Sequence, residues 1–411
     1  MSFILNNWQE ILNPAPWSAR CLHRGVSDGN YMYICGGYTT GVVKLNDVWR
    51  SSDGSNWELL VEHAPWSARS GHGFIYYNNK FWVMGGSNQI GTFLRDVWSS
   101  DDAINWVQVT AGAAWSTRHE FGLCVFNNKM FISGGFAGGA LRSDVYSSSN
   151  GLNWTLECAN IAGGWTGPRE HASAEFKGEL MMYGGAYSGG IKNIVFSSAT
   201  GAVFVNDGNA AWSARIEHQA VIDDAKNNLA IIGGRLVSPS YNDIWQTSDG
   251  LNFTQIVQAA PFSVRSDFAL INHNRRAYLT GGITGVTGIV LGDVWVSDTE
   301  LYADFTGTPT TVMLGEEVTF TNLSSDDTLY CMWNFGYGAA YAMTSGLDGV
   351  SHKFTQVGVF TITLSAINSD GDINTKARTL YITVLPLTLD FVGAPRTGPA
   401  ALKVDFRAAL S

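Results

Sequence analysis

Charged residues are scarce in this chain of 411 residues. Asp, Glu, Lys and Arg together make up 15% of the sequence, the formal net charge is −10, and no run of Lys or Arg occurs. Proteins that bind nucleic acid carry clustered basic residues, so the composition excludes nucleic acid as a partner. The hydrophobic content of 45% is also too high for a disordered chain.

Cysteine is rare and irregularly placed. The five cysteines are an odd number, and no two of them form a C-x-x-C pair. This pattern excludes a disulfide framework and a zinc site, and it favours folding in a reducing compartment.

Targeting segments are missing from the sequence. The N-terminus has no basic region followed by an apolar run, and no apolar stretch is long enough to span a bilayer. We expect a protein that is synthesised in the cytoplasm without a signal peptide and that does not insert into a membrane.

A repeat of about 50 residues dominates the first 298 positions. Trp-Ser-Ala-Arg at residues 17–20 returns in variant form, and each copy is followed by a Gly-Gly pair and an Asp-aromatic element, which is degenerate in the fourth copy. The repeated arginines are Arg20, Arg69, Arg118, Arg169, Arg215 and Arg265. One supersecondary unit is therefore copied six times.

Each repeat contains four segments rich in β-branched and aromatic residues, bounded by Gly, Asn and Asp turns. This pattern is typical of antiparallel strands and predicts an all-β, six-bladed β-propeller. Residues 8–17 match residues 57–66 in register. The N-terminal strand, residues 3–12, should therefore complete the sixth blade by pairing with residues 293–296, which removes an open sheet edge.

The double glycine, the Asp-aromatic pair and the arginine before each first strand resemble the kelch repeat, the blade unit also found in galactose oxidase. The resemblance covers residues 1–298 and implies a propeller domain. Residues 299–385 resemble a PKD domain, an immunoglobulin-like β-sandwich. The family's W-D-F-G-D-G is here W-N-F-G-Y-G at residues 333–338, and the loss of both acids argues against a calcium role. Residues 386–411 resemble the start of a second PKD domain or a linker to further domains. Because half a sandwich cannot bury its core, we expect either that the chain continues beyond Ser411 or that another segment completes this one.

The repeat suggests a candidate binding surface. In an up-and-down blade, the loops between strands four and one lie at the same end as those between strands two and three, so the six arginines should ring one mouth of the central channel. There they would hold an anionic ligand such as a sugar acid or a carboxylate. The alternative, which a feature present in all six copies favours, is that each arginine clips its blade to a neighbour.

Departures from the repeat are better indicators of function than the repeat itself. The fourth copy departs most, which adds Glu170 and His171 to the candidates. The loops after Gly-Gly vary in length and chemistry, as binding loops on a rigid frame do. Their residues Phe93 and Leu236, with Val42, Ile90 and Val286, are predicted to form an apolar contact patch.

No catalytic residue, metal site or cofactor is predicted. Galactose oxidase also combines a kelch propeller with an immunoglobulin-like domain, but no histidine pair for its copper site can be assigned beside Cys35 and Tyr33. Residues 51–57 fall one residue short of the sialidase box S-x-D-x-G-x-x-W and fit a type I′ turn better. H-E-x-x-H and P-loop motifs are missing.

We therefore expect a non-catalytic structural or adhesion module on a larger surface assembly. We favour a bacteriophage virion decoration, fibre or tail protein. Such a protein folds in the host cytoplasm, which suits unpaired cysteines, and leaves the cell by lysis, which suits domains typical of extracellular proteins. Its partners would be other structural proteins of the assembly, or a glycan or protein of the host surface, at the virion surface or outside the cell. The alternatives are a secreted carbohydrate-active or galactose-oxidase-like enzyme and an intracellular kelch scaffold that binds a peptide.

Overall fold

A computed structural model of the chain describes residues 3–161, 166–223, 227–285, 288–299, 301–325, 328–336, 341–368 and 373–387. These residues form strands and turns, and among them there is no helix long and apolar enough to cross a membrane. The chain divides into two compact units between Thr299 and Glu300. The predicted start of a second sandwich, from residue 388 onward, lies outside the described residues, as do Trp165, Val286 and residues 337–340.

The first unit contains six antiparallel four-stranded sheets, one for each repeat. Blade one comprises Arg24–Ser27, Met32–Cys35, Val48–Ser51 and Glu58–Val61. Blade two comprises Gly73–Tyr77, Lys80–Met84, Val97–Ser100 and Val107–Thr110. Blade three comprises Gly122–Phe126, Lys129–Ser133, Val145–Ser148 and Thr155–Cys158. Blades four and five comprise Ala172–Phe176, Glu179–Tyr187, Gly190–Ser198 and Val205–Asn209; and Gln219–Asp223, Asn228–Ile232, Ile244–Thr247 and Thr254–Val257. Short ribbons pair Arg69–Ser70 with Ser87–Asn88, and Phe136–Ala137 with Ala140–Leu141.

The sixth blade confirms the predicted closure. It comprises Ala269–His273, Arg276–Ile283 and Val290–Thr299, and the N-terminal strand Phe3–Leu12 is its fourth strand. Gln9 lies opposite Val296 and Glu10 opposite Trp295. Trp8 is buried, and its ring meets that of Phe262 edge-on at 5.3 Å. The first strand of the chain therefore fills the place that the last repeat leaves open.

The hydrophobic core lies between neighbouring blades. One cluster joins Trp82 and Met84 of blade two to Phe121 and Ile132 of blade three. The repeated tryptophans add to these layers, because Trp66 meets the strand-four residue Trp106 edge-on at 6.1 Å. Each aromatic side chain of this kind buries about 150–250 Å², so the interblade layers supply most of the apolar burial.

Two kinds of turn connect the strands on the face opposite the Gly-Gly loops. Asn78 and Asn79 both have positive φ, as a type I′ hairpin requires. Between strands three and four, however, only Gly54 has positive φ, and Asp53 Oδ1 accepts the backbone N–H groups of Ser55 and Asn56. The expected type I′ turn at residues 51–57 is therefore wrong, because the aspartate side chain organises the loop instead.

The second unit is a β-sandwich. Its smaller sheet contains Phe305–Thr308, Glu317–Asn322 and Val350–Lys353, and its larger sheet contains Thr311–Met313, Ile373–Leu385, Gly358–Asn368, Thr328–Asn334 and Tyr341–Ser345. Inward residues alternate along Glu317–Asn322, where Val318, Phe320 and Asn322 are buried. Trp333, which is fully buried, lies at the centre of the core beside Phe305 and Phe320.

Candidate functional site

Five of the repeated arginines form an ion pair within their own blade, while their main-chain carbonyl groups bond to a neighbouring blade; we call each such unit a clip. Arg20, Arg69, Arg118, Arg215 and Arg265 are 0–1% exposed. Each donates two hydrogen bonds to one aspartate of its own blade, as Arg69 does to Asp96 at 2.9 and 2.8 Å. The Arg69 main-chain carbonyl accepts the N–H of Gly37 in the preceding blade. The expected ring of arginines around the channel mouth is therefore wrong for these five, because their charges are neutralised inside the blades.

The tryptophan two residues after the aspartate completes four of the five clips. The indole N–H of Trp98 donates to Asp96 Oδ2 at 2.8 Å, and Trp49, Trp245 and Trp295 repeat this bond. A buried carboxylate needs such donors to offset the loss of hydration. The motif thus has a structural reason, independent of any ligand.

The fourth blade lacks the clip. The carbonyl of Pro168 accepts the N–H of Gly135 at 2.7 Å, which is the bond that an arginine carbonyl accepts in the other blades. Pro168 therefore occupies the position of the clip arginine. Arg169 occupies the next position, which is held by Cys21 in the first blade and by His119 in the third. Its side chain is 32% exposed and lies over the ring of Phe136 at 5.0 Å. Among the six predicted arginines, Arg169 reaches the channel mouth.

A closed ring of main-chain hydrogen bonds surrounds the channel at this end. In each bond, the N–H group of a residue in one blade donates to the carbonyl group of the equivalent residue in the blade before it, at 2.8–3.2 Å. The pairs, donor first, are Leu22 and Asp267, Gly71 and Leu22, Glu120 and Gly71, Glu170 and Glu120, Glu217 and Glu170, and Asp267 and Glu217. All six residues have φ between 51° and 59°. This left-handed conformation costs about 1–3 kcal/mol for a residue other than glycine, and the closed ring stabilises it.

Four of these six residues are acidic, and we call Glu120, Glu170, Glu217 and Asp267 the acidic ring. Arg169 Nη1 lies 3.3 Å from Glu120 Oε2 and 3.4 Å from Glu170 Oε1, and Arg235 makes two hydrogen bonds to Glu217. Burial and the neighbouring Glu120 raise the pKa of Glu170 to about 9. Burial and the other ring acids raise the pKa of Asp267 well above its usual range. His119 and Arg169 lower the pKa of Glu120 to about 2, against its own burial.

Aromatic and charged side chains form a rim cluster on blades two to four. Phe93 stacks on His119 with ring centroids 4.6 Å apart, and Phe136 meets both rings edge-on. Arg169 covers the other side of Phe136. The sequence pointed to Phe93 and Arg169, but it did not show that loops of separate blades bring them to His119 and Phe136.

The loop tips around the mouth divide into two arcs. Val42, Ile90, Val237 and Ile289 are 57–86% exposed and belong to blades one, two, five and six. In blades three and four the tips carry glycine pairs instead, at residues 138–139 and 189–190. Leu236 is half-buried beside Val237, and its N–H donates to the carbonyl of Pro239. The apolar tips thus lie on four neighbouring blades, and we call them the apolar arc.

The repeated histidines lie between the blades. His171 Nε2 is 2.9 Å from Ser133 Oγ, and His72 Nε2 is 3.4 Å from Cys35 Sγ. Burial lowers the pKa of His171 to about 3 and raises that of the Cys35 thiol. Within the described residues, no group of three His, Cys, Asp or Glu side chains is arranged to hold a metal ion. His171 is therefore an interblade residue whose ring also lines the channel.

A serine–histidine pair lies at the other end of the channel. Residues 25–29 have the G-x-S-x-G spacing, and Ser27 Oγ is 2.8 Å from His273 Nδ1. The second nitrogen of His273 faces the carbonyl of Ser52 instead of a carboxylate, and Ser27 ends a strand in a hairpin instead of starting a helix. This pair therefore joins blades six and one without the geometry of a hydrolase site.

Comparison with known families agrees with the topology. The model of the KLHDC2/KLHL20/DRC7 Kelch-repeats domain matches residues 5–185, and the model of the PKD domain matches residues 303–380. A comparison with curated proteins gives no match. Domains of these two kinds are usually non-catalytic modules for binding or adhesion. The chain therefore contains a kelch-repeat domain, folded as a β-propeller, and after it a PKD domain of immunoglobulin-like fold.

Proposed function

We propose that this protein is a non-catalytic display and binding module of a larger surface assembly, which binds a protein partner or a glycan through the face at the channel mouth. The difference between the two faces of the propeller supports this proposal. On the mouth face, the loops differ from blade to blade and carry exposed apolar tips. The opposite face carries repeated tight turns held by their own side chains.

The apolar arc suits a protein partner. Large exposed apolar patches on a soluble domain mark interaction sites. Val42, Val43, Ile90, Val237 and Ile289 together provide such a patch on one side of the mouth. The rim cluster on the other side suits a sugar ring, because aromatic faces stack on the apolar faces of sugars while Arg169 donates hydrogen bonds.

The assembly that we favour is a bacteriophage virion, with the protein on its outer surface. The support is the combination of a kelch propeller and a PKD domain with five unpaired cysteines. Disulfides form and persist in secreted proteins, whereas a virion protein folds in the reducing cytoplasm of its host.

The test compares exposed apolar residues on the two faces. Ile90→Asp and Val237→Asp alter the mouth face, and Leu152→Asp and Ile104→Asp are the matched controls on the opposite face. Binding is measured on a glycan array and by co-sedimentation with virions that lack the protein. We expect the mouth variants to lose binding while all four variants keep the melting temperature of the wild type. Loss of binding by the control variants alone would contradict the proposal.

A further inference from the structure

A small cavity lies at the acidic ring. Its volume is about 20 Å³, which admits one group of the size of a water molecule. The cavity is lined by the four ring acids together with Leu22, Arg24, Phe121, His171, His218 and Gln219. It is separate from the loop tips that carry the proposed function.

Polar groups that line the cavity lack a hydrogen-bond partner among the described residues. The Glu170 side chain is 5% exposed, and its Oε2 atom has no hydrogen-bond donor within the described protein. Asp267 is 6% exposed, and its carboxyl group makes no hydrogen bond or ion pair with another described residue. The buried Nδ1 atom of His171 also lacks a partner. Buried polar groups without partners cost free energy, and the two carboxyl groups, once ionised, are satisfied by a ligand that donates hydrogen bonds.

The neighbouring arginines do not satisfy these acceptors. Arg169 contacts Glu120 and the other oxygen of Glu170, and Arg235 is held by both oxygens of Glu217. Arg24 approaches from inside the channel, but its Nε atom donates to the main-chain carbonyl of His72 at 3.2 Å. The carboxyl groups of Glu170 and Glu120 share a hydrogen bond through the proton that Glu170 holds. The Asp267 carboxyl group is therefore the ring acid that remains without a partner among the described residues.

We propose that the acidic ring binds a primary ammonium group, carried by a lysine side chain or by a small aliphatic amine. An ammonium group presents three donors on one compact centre. A guanidinium spreads its five donors over a plane, whereas a cavity of about 20 Å³ suits one compact donor centre. The ring acids also lack the close arrangement that a metal ion needs, whereas hydrogen bonds to nitrogen span a longer distance.

Binding should depend on pH in a characteristic way. Several charged or titratable groups face the ring acids. They are His119, Arg169 and Arg235 at the rim, Arg24, His171 and His218 below, and also Cys21, Tyr38 and Lys44. Glu170 and Asp267 hold protons at neutral pH because their pKa values are raised. An ammonium ligand favours the ionised carboxylates, so binding releases protons, and the affinity rises with pH until the amine itself loses its proton at about pH 10.4.

The experiment is isothermal titration calorimetry on the full chain, in buffers of different ionisation enthalpy. The probes are n-butylamine and Nα-acetyl-L-lysine N-methylamide, and the control ligands are n-butanol and Nα-acetyl-L-arginine N-methylamide. The variants are Glu170→Gln and Asp267→Asn. The control variant is Asp101→Asn, which removes an acid that is 78% exposed and distant in the fold.

We expect the wild type to bind at least one of the two amines, with proton release to the buffer, and to bind neither control ligand. Each ring variant should lower the affinity about tenfold or more, while Asp101→Asn leaves it unchanged. Binding of both amines identifies a site that accepts a lysine side chain, and binding of butylamine alone identifies a site for free amines. The proposal would be overturned if the wild type bound neither amine, or if correctly folded ring variants bound the amines as tightly as the wild type. This result is independent of the effect of the loop-tip variants on partner binding, which tests the proposed function.

Discussion

In the fourth blade, Pro168 occupies the position of the clip arginine and Ile194 occupies the position of its aspartate partner. These two positions form an ion pair in the other five blades. The Pro168 carbonyl accepts the N–H of Gly135, as an arginine carbonyl does elsewhere. Asn193 donates to the carbonyls of Ala210 and Trp212, as Asn46, one residue before Asp47, donates to those of Ala64 and Trp66. Both members of the pair are therefore replaced together, and neither charge is left buried without the other.

This joint replacement leads to a prediction about the clips. Arg69→Met leaves Asp96, whose side chain is 13% exposed, without its ionic partner. Removal of one partner of a buried ion pair costs about 3–5 kcal/mol of the free energy of unfolding. The double variant Arg69→Met/Asp96→Leu should recover part of this loss, because it leaves no unpaired charge. Denaturant unfolding measures both values.

The matched control is the exposed pair between Arg50 and Glu58, whose side chains are 30% and 61% exposed. Because water screens an exposed pair, Arg50→Met should cost less than about 1 kcal/mol. Equal losses for Arg50→Met and Arg69→Met would show that the clips contribute no more than a surface ion pair.

Deletion of residues 1–13 tests the closure of the propeller. The deletion removes the strand that pairs with Val294–Ser297 and exposes a long sheet edge on blade six. We expect aggregation during expression, because an unpaired edge is a template for pairing between chains. Size-exclusion chromatography and light scattering provide the measurement. A monomeric deletion variant with an unchanged melting temperature would disprove the role of this strand.

A point variant separates the packing of this strand from its backbone pairing. Trp8 is buried against Phe262, so Trp8→Ala should cost about 3–5 kcal/mol. Gln9 is exposed on the same strand, and Gln9→Ala should change the free energy of unfolding by less than about 0.5 kcal/mol.

Stability should pass through a maximum near pH 6.5. Burial lowers the pKa values of His23, His72, His171 and His218. Below about pH 6.5 the unfolded chain protonates these histidines and the folded chain does not, so the free energy of unfolding falls as the pH drops toward the folded values, about 3 for His171 and His218.

Two acids of the acidic ring, Glu170 and Asp267, lower the free energy of unfolding as the pH rises, which is opposite to the effect of the histidines. Between its unfolded pKa of about 4.5 and its folded pKa of about 9, Glu170 binds a proton in the folded state only. The free energy of unfolding therefore falls as the pH rises through this window, and Asp267 adds to the effect. Glu170→Gln should flatten the decline between pH 7 and 9 in thermal melts, and Glu58→Gln should leave it unchanged. An identical decline in Glu170→Gln would refute the assignment.

Purified protein should hold no stoichiometric copper or zinc. The repeated histidines are committed to contacts between blades, as His23 Nε2 is to Thr280 Oγ1 at 2.8 Å. Elemental analysis by mass spectrometry checks this expectation. Copper or zinc at one equivalent, lost in His72→Ala or His218→Ala, would contradict it.

The sequence by itself determined the frame of this protein. Six copies of a short unit, each with turn residues at fixed positions, allow one arrangement of strands, and the match between residues 8–17 and 57–66 located the closing strand. These features could be predicted because strand pairing and turn chemistry depend on residues close together in the chain. The asymmetry of the fourth repeat was also visible, although its arginine was aligned one position too early.

Only the tertiary structure decided what the repeated residues do. An arginine in a sequence carries the same charge whether it faces a channel or an aspartate, and it is the fold that places Asp47 against Arg20 and exposes Arg169. The acidic ring is likewise formed by the fold and not by neighbouring positions in the sequence. Glu120, Glu170, Glu217 and Asp267 are about 50 residues apart in the chain, and they become neighbours, with pKa values that move in opposite directions, because the closed propeller brings one left-handed residue of every blade to a single axis.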